Sequence, residues 1–265
     1  MIEAVINISE GRDRALLDRL RESAGSLLLD VHADPHHHRS VFTLCGAPDA
    51  VEEASLALSR TAVELLDLRG HDGVHPRLGV ADVVPFVPYG SPFEAALAAR
   101  DRFARQFGDK GVPCFLYGPE RSLPEVRRQA FTVLPPDTGP PQPHPSAGAT
   151  CVGARPVLVA YNLVVRAGLD EAREVARSLR RREVRALAFQ VGLDVQISFN
   201  LIEPDEVGPA EVYDAVSELL PVVSAELVGL VPERVLRAVG RHRWRELGLS
   251  ESATIESRLA EVPGG

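Results

Sequence analysis

The segment RGHDGVHPRLG, residues 69 to 79, combines two histidines, an aspartate and two arginines with three glycines and one proline. Titratable and cationic groups stand here among the residues that most free or most restrict a backbone. Pro76 biases His75 away from helical torsions, so the His75 ring projects from extended chain that Gly73 and Gly79 allow to turn on either side. Imidazole exchanges protons near neutral pH, and Arg77, two residues on, projects to the same side of an extended chain. The implied pair is an acid-base group beside an anion anchor. The simpler reading is that His71 and His75 are loop histidines bonded to backbone. A metal-binding i,i+4 pair would need a helix, which Gly73 and Pro76 oppose.

Three further stretches carry polar chemistry. In DVHADPHHHRS, residues 30 to 40, His32, Asp34, His36, His37 and His38 lie close together. They read as a metal site, as a solvated loop, or as a loop lining the same cleft as His75; Arg39 is the residue there best suited to hold a carboxylate. The stretch GPPQPHPSAGATCVGARP, residues 139 to 156, has small residues that let backbone amides approach a ligand. In VQISFNL, Gln196, Ser198 and Asn200 alternate onto one face of a strand, where they line a polar cavity or face water.

These groups need elements to hold them. Residues 4 to 9 read as a strand, and Leu16, Leu17, Leu20 and Ala24 fall at helical spacing before Gly25. LLLDVHA and SVFTLCG read as strands, and Asp49 with Glu52 as a capping box opening a helix. ADVVPFVP reads as a strand partly at an edge because of its prolines. Ser91 to Glu94 caps a further helix, and VPCFLYG adds a strand. Leu123 to Pro145, rich in proline and without period, reads as a linker or binding loop with a domain boundary near its end.

From Arg155 onward the order repeats: strand, helix, strand, a Gly192-Leu193 turn, strand, helix, strand, then a helical tail RVLRAVGRHRWREL. The expected fold class is α+β, with two ferredoxin-like β-α-β-β-α-β subdomains, residues 1 to 150 and 151 to 265. Their uncovered sheet faces need burying, so they pack together or flank a cleft.

The chain has 265 residues, 45% hydrophobic and 25% charged, as an ordinary globular protein does. A formal charge of -8 and a pI near 5.5 argue against nucleic acid or an anionic membrane as the main partner. Lys110 is the only lysine, so the positive charge is almost all guanidinium, suited to bidentate carboxylate recognition. Cys45, Cys114 and Cys151 are odd in number and widely spaced, which suits free thiols in a reducing compartment. The first residues lack a basic and then apolar leader pattern, and no apolar run approaches membrane length, so a cytoplasmic location is expected.

Taken together the motifs carry a resemblance. NISEGR at 7 to 12, HHHRSVFTLCG at 36 to 46, GVHPRLGVADVVPFVP at 73 to 88, GATCVGARPVLVAYN at 148 to 162, VQISFNL at 195 to 201 and ELVGLVP at 226 to 232 occur in the order of the formiminotransferase domain family. The chain resembles that family over nearly its whole length, and the HPR segment is the most specific match. The resemblance implies a homodimeric protein of two subdomains with a ligand channel between them. It implies transfer of a formimino group from N-formiminoglutamate to N5 of tetrahydrofolate, a co-substrate, with no metal expected.

The family's catalytic histidine falls on His75. Its folate-binding segment falls on Gly139, Pro140, Pro141, Gln142, Pro143, His144, Pro145, Ser146, Ala147 and Gly148. Because both substrates carry carboxylates, Arg39, Arg77 and Arg155 are expected anchors. His32 stands where the family has an aspartate that assists the histidine, and Ala147 where it has a tryptophan. The first change removes an anion that would raise the pKa of the histidine; the second removes an aromatic surface for a pteridine. A paralogue using another carboxylated amidine, or a folate-binding protein without turnover, are the alternatives.

Overall fold

The computed structural model describes residues 1 to 73 and 75 to 262. Val74 of the HPR segment, and residues 263 to 265 at the end of the second expected domain, lie outside the described residues. The chain divides into two compact units, Met1–Pro156 and Val157–Gly265.

In the first unit, strand β1 (Ile2–Ile8) alternates strictly: Ile2, Ala4, Ile6 and Ile8 are fully buried against helices, while Glu3, Val5 and Asn7 point to the opposite face. Full burial of each isoleucine contributes about 1.5 to 3 kcal/mol, so the pattern sets which face is core. Helix α1 (Arg14–Ala24) starts where Asp13 accepts from the amides of Ala15 and Leu16, and stops at Gly25, whose φ is 67°. Strands β2 (Leu28–Asp34) and β3 (Arg39–Gly46), helix α2 (Pro48–Leu65), β4 (Ala81–Pro88), α3 (Phe93–Gly108), β5 (Cys114–Tyr117), α4 (Leu123–Gln129) and β6 (Thr150–Ala154) follow.

The sheet order is β2-β3-β1-β4-β6-β5. Pairs among the first four strands are antiparallel, and β6 runs parallel to both β4 and β5. Phe42, Leu44, Phe86, Phe103 and Phe107 belong to the core under α1, α2 and α3. On the other face Val126 of α4 packs with Val83, Phe115 and Cys151.

Several local expectations change. Strand β4 is central rather than at an edge: only Pro85 and Pro88 lack donors, and the residues around them pair with β1 and β6. Helix α2 begins after Ala47 without a side-chain cap, because Glu52 is buried and accepts instead from Arg102 and Gln106 of α3. Helix α3 likewise has no side-chain cap at its start; Ser91 Oγ accepts from the Met1 amino group. The stretch expected as linker contains α4, which starts where Glu125 Oε2 accepts from both the amide and the hydroxyl of Ser122.

The second unit runs β7 (Val159–Val165), α5 (Leu169–Ser178), β8 (Val184–Val191), β9 (Asp194–Leu201), α6 (Pro209–Ser217) and β10 (Val222–Val228). Its antiparallel sheet has the order β10-β7-β9-β8. That is the order β4-β1-β3-β2 of the first unit, so the β-α-β-β-α-β connectivity occurs twice. The hairpin turn falls at Gly192 and Leu193, with Val191 opposite Asp194 and Gly192 at a φ of 60°. Tyr161, Leu163, Ile197 and Phe199 form its core with α5 and α6. The tail is not one helix: α7 (Glu233–Arg237) ends before Gly240, a 3-10 turn carries Arg241–Arg243, and α8 (Ile255–Glu261) closes the described chain.

Candidate active site

The connections of the first unit converge at one end of its sheet. There β1 ends, β3 begins after the Asp34 turn, β4 and β6 begin, and the loop from residue 66 to 80 runs between them. The turn between β2 and β3 is built by Asp34 Oδ1, which accepts from the amides of His36 and His37 at 2.8 and 2.9 Å. His38 then takes a left-handed φ of 48° and delivers Arg39 into β3. A Cβ on Gly73 would strike the His37 carbonyl and the Arg77 side chain, and one on Gly79 the Ala149 carbonyl, so both positions need glycine for close approach.

His75 is half-buried at this end. Its Nδ1 lies 2.8 Å from the Pro76 carbonyl, and Arg39 Nη1 lies 2.8 Å from its Nε2 and 3.1 Å from its Nδ1. A carbonyl accepts and a guanidinium donates, so the shorter contact of each nitrogen, the carbonyl at Nδ1 and the guanidinium at Nε2, fits the tautomer with its proton on Nδ1. Arg39 also donates to Asn7 Oδ1 through Nη2, and among the described residues its buried Nε has no acceptor. Burial, with Arg39 and Arg127 nearby, lowers the pKa of His75 to about 2, only partly opposed by the Pro76 carbonyl. Burial likewise lowers Arg39 to about 10, which leaves it a cation at neutral pH. The site therefore offers a neutral imidazole among guanidinium groups.

Arg77 holds the loops around it. Its Nε and Nη2 donate to the His75 carbonyl at 3.1 and 2.9 Å, and Nη2 also to the His37 carbonyl at 3.1 Å. Its Nη1 donates to the His38 carbonyl at 3.2 Å and lies 2.6 Å from His71 Nε2, whose ring accepts from the Gly73 amide at Nδ1 and faces the same His38 carbonyl through Nε2. Those bonds tie one guanidinium to three backbone carbonyls, of His37, His38 and His75. Below it the rings of His38 and His71 stack with centroids 4.1 Å apart. Burial lowers the pKa of both.

Asp82, at the start of β4, is 2% exposed and accepts from the Leu78 amide at 2.7 Å and from Arg127 Nη2 at 2.6 Å. Arg127 Nη1 also donates to the Pro76 carbonyl at 3.1 Å. Sequence reasoning missed Asn7, Asp82 and Arg127 as members of this cluster. The one signal available for Arg127 was the Ser122 to Glu125 capping box, which marks α4 two residues before it.

The Gly139 to Gly148 segment reaches this end by its last residues. Pro141, Gln142 and Pro143 are exposed, His144 Nδ1 accepts from the amides of Ser146 and Ala147, and the carbonyl of Ser146 bonds Leu68 N at 2.7 Å. Ala147 accepts from Val80 N at 2.9 Å, and Gly148 is bridged to Gly79, so the segment lies along the strand that follows His75. Gly139, by contrast, abuts Gly108 and Val112. His32 shares a sheet row with Val41 and Asn7 through β3, roughly 10 Å from β1.

Arg155 is not brought to this end. It follows β6 at the opposite end of the strand, beyond Ala154 opposite Phe86, about 15 Å along the sheet from Thr150. There it donates to the Pro156 carbonyl, and burial lowers its pKa against the opposing pull of Tyr117 and Glu3. In the second unit Gln196 Nε2 donates to Ser198 Oγ at 2.9 Å, on the face that also carries the Asn162 to Glu226 hydrogen bond. Among the described residues no group of three or more His, Cys, Asp or Glu is arranged to hold a metal ion.

A family model for the formiminotransferase domain, N-terminal subdomain, matches residues 1 to 155. The glutamate formimidoyltransferase of Thermoplasma acidophilum is 34% identical over 300 aligned residues, covering 99% of this chain and 98% of that protein. The protein of the same name from Streptococcus pyogenes is 32% identical over 279 residues, covering 91% and 92%. The formimidoyltransferase-cyclodeaminase of Rattus norvegicus is 34% identical over 275 residues, covering 89% of this chain and 51% of the relative. The chain spans about half the length of the cyclodeaminase relatives it matches.

Proposed function

Because the chain belongs to the formiminotransferase family, we propose that it is a glutamate formimidoyltransferase, moving the formimino group of N-formiminoglutamate to N5 of tetrahydrofolate. The observation that carries this reading is the neutral His75, its Nε2 against Arg39, on the loop whose Leu78 and Val80 backbone bonds Ala147 and Ala149. As N5 attacks the amidine carbon, Nε2 takes the N5 proton. The tetrahedral intermediate then collapses as the same nitrogen returns that proton to the glutamate nitrogen, whose bond to carbon breaks. A histidine already neutral is ready for the first half-step, and the imidazolium it becomes is a strong acid for the second.

Arg39 is the carboxylate anchor in this scheme, since it keeps an Nε donor and contacts His75. Arg77 serves by holding the loop, and Arg155, at the far end of β6, would meet only a remote part of a ligand. Residues 139 to 148 form the folate-binding segment. Each unit is read as a ferredoxin-like half, the second being the C-terminal subdomain, and the ligand channel expected of the family belongs to the same proposal. A cytoplasmic homodimer with folate as co-substrate completes it.

The test is formimino transfer measured as methenyl-folate absorbance after acid treatment. Wild type should turn over, and His75→Ala should lose about 10²- to 10⁴-fold in kcat. Binding of tetrahydrofolate without turnover by wild type would leave a paralogue or a folate-binding protein in its place.

A further inference from the structure

The Pro76 carbonyl is shared by two donors. His75 Nδ1 and Arg127 Nη1 reach it at 2.8 and 3.1 Å. Arg127 is itself held by Asp82 Oδ2 at 2.6 Å, while Asp82 Oδ1 takes the Leu78 amide at 2.7 Å. A continuous set of bonds thus runs from the start of β4, through α4, to the His75 ring, and grips the loop at Pro76 and again at Leu78. We propose that Arg127, held by Asp82, is a positioning residue for formimino transfer: it fixes the Pro76 carbonyl against His75 Nδ1–H and so reserves Nε2 for the proton.

Packing alone does not account for this pair. Helix α4 is anchored to the sheet by Val126 against Val83, Phe115 and Cys151, without Arg127. Withdrawing a carboxylate and a guanidinium from water costs several kcal/mol per ion, and a buried pair is weak evidence of stability. What the pair supplies is direction. A carbonyl can accept from the ring but cannot donate, so a carbonyl clamped at Nδ1 selects one tautomer. The Arg127 charge also disfavours imidazolium at His75, while Asp82 keeps Arg127 charged against the cost of its own burial. Among the described residues, Arg39 from β3 and His37 from the preceding turn also face His75.

The inference rests on the transferase reading, and the experiment separates the two. Wild type, Arg127→Gln, Arg127→Lys and Asp82→Asn are compared by steady-state transfer across pH, thermal unfolding and 15N NMR of the His75 ring nitrogens. Arg127→Gln should lower kcat on the order of 10- to 100-fold with KM nearly unchanged, the range for losing an outer partner that orients a metal-bound histidine. Its acid limb of kcat/KM should move to higher pH, and its ring signals from the Nδ1–H pattern to a tautomer mixture. Arg127→Lys, which still donates to the carbonyl, should recover part of both. A lower Tm with kcat per folded molecule, acid limb and tautomer all unchanged would overturn the proposal. Should Arg127→Gln fail to fold, Arg127→Lys and Asp82→Asn supply the same readouts with smaller shifts of the same sign. Absence of transfer in wild type counts against the transferase reading, while the ring signals still decide the positioning role.

Discussion

A histidine whose pKa is lowered to about 2 behaves differently from a free one at both ends of its cycle. Since kcat/KM reports the free enzyme, its acid limb should lie below the ordinary histidine value near 6.5, leaving activity flat where an unperturbed base would already be half lost. A rate profile bending near pH 6.5 or above through His75 would contradict the site geometry. The same shift affects stability. In the unfolded chain His75 takes up a proton below about pH 6.5, and in the folded chain it does not until far lower, so the folded state loses ground as pH falls through that window. Denaturant titrations at pH 7.5 and 5 should show wild type losing more stability than His75→Asn. Arg77 offers a complementary case. Its donors bridge the His37, His38 and His75 carbonyls, so Arg77→Ala should destabilise by about 1 to 3 kcal/mol, read by chemical denaturation, and lower kcat by releasing the loop.

At the scale of elements, the site depends on a short helix that proline-rich sequence conceals. Helix α4 has seven residues, too few to persist without tertiary contacts, and the Ser122 amide and hydroxyl bonded to Glu125 Oε2 tie down its first turn. Ser122→Ala should cost about 1 kcal/mol and, because α4 carries Arg127, reduce turnover further than the small stability loss predicts. Comparing Tm with kcat in that variant checks the link. The loop after His75 and the segment ending at Gly148 are coupled by the Gly79 and Gly148 bridge. Gly79→Ala would drive a methyl into the Ala149 carbonyl, so it should weaken tetrahydrofolate binding, measured by calorimetry, without altering any titratable group. Apolar spacing made α1 legible, the Ser91 to Glu94 stretch marked the start of α3, and the Gly192-Leu193 turn between alternating runs marked the β8 to β9 hairpin. Helix α4 was not, because its period is too short and its prolines signal loop.

The whole molecule repeats one connectivity, and each unit has its own core: Phe42, Phe86 and Phe103 in the first, Tyr161, Ile197 and Phe199 in the second. A fragment spanning residues 157 to 265 should therefore unfold cooperatively by itself; a broad, noncooperative melt would contradict an independent core. The formal charge of -8 sets a second expectation. Under the proposed function, an anionic substrate meets a protein that repels it at long range and a local group of Arg39, Arg77 and Arg127 that attracts it. Moderate salt screens the distant repulsion more than contacts in a half-buried site, so KM for formiminoglutamate should change little, or fall, on raising salt from low to physiological strength.

By itself the sequence determined the repeated order of strands and helices, the faces that become core, the family, and the loop on which His75 lies. Those follow from local rules: period, turn residues, and the restriction that Pro76 imposes on its neighbour. Only the tertiary structure decided that Arg77 binds loop carbonyls, that Arg155 sits at the far end of β6, and that Arg39, Asp82 and Arg127 surround the imidazole. These residues are 36, 7 and 52 positions from His75 in the chain, and no local pattern relates them. Their meeting depends on strand register across the sheet and on the seating of α4, which packing sets once the chain has folded.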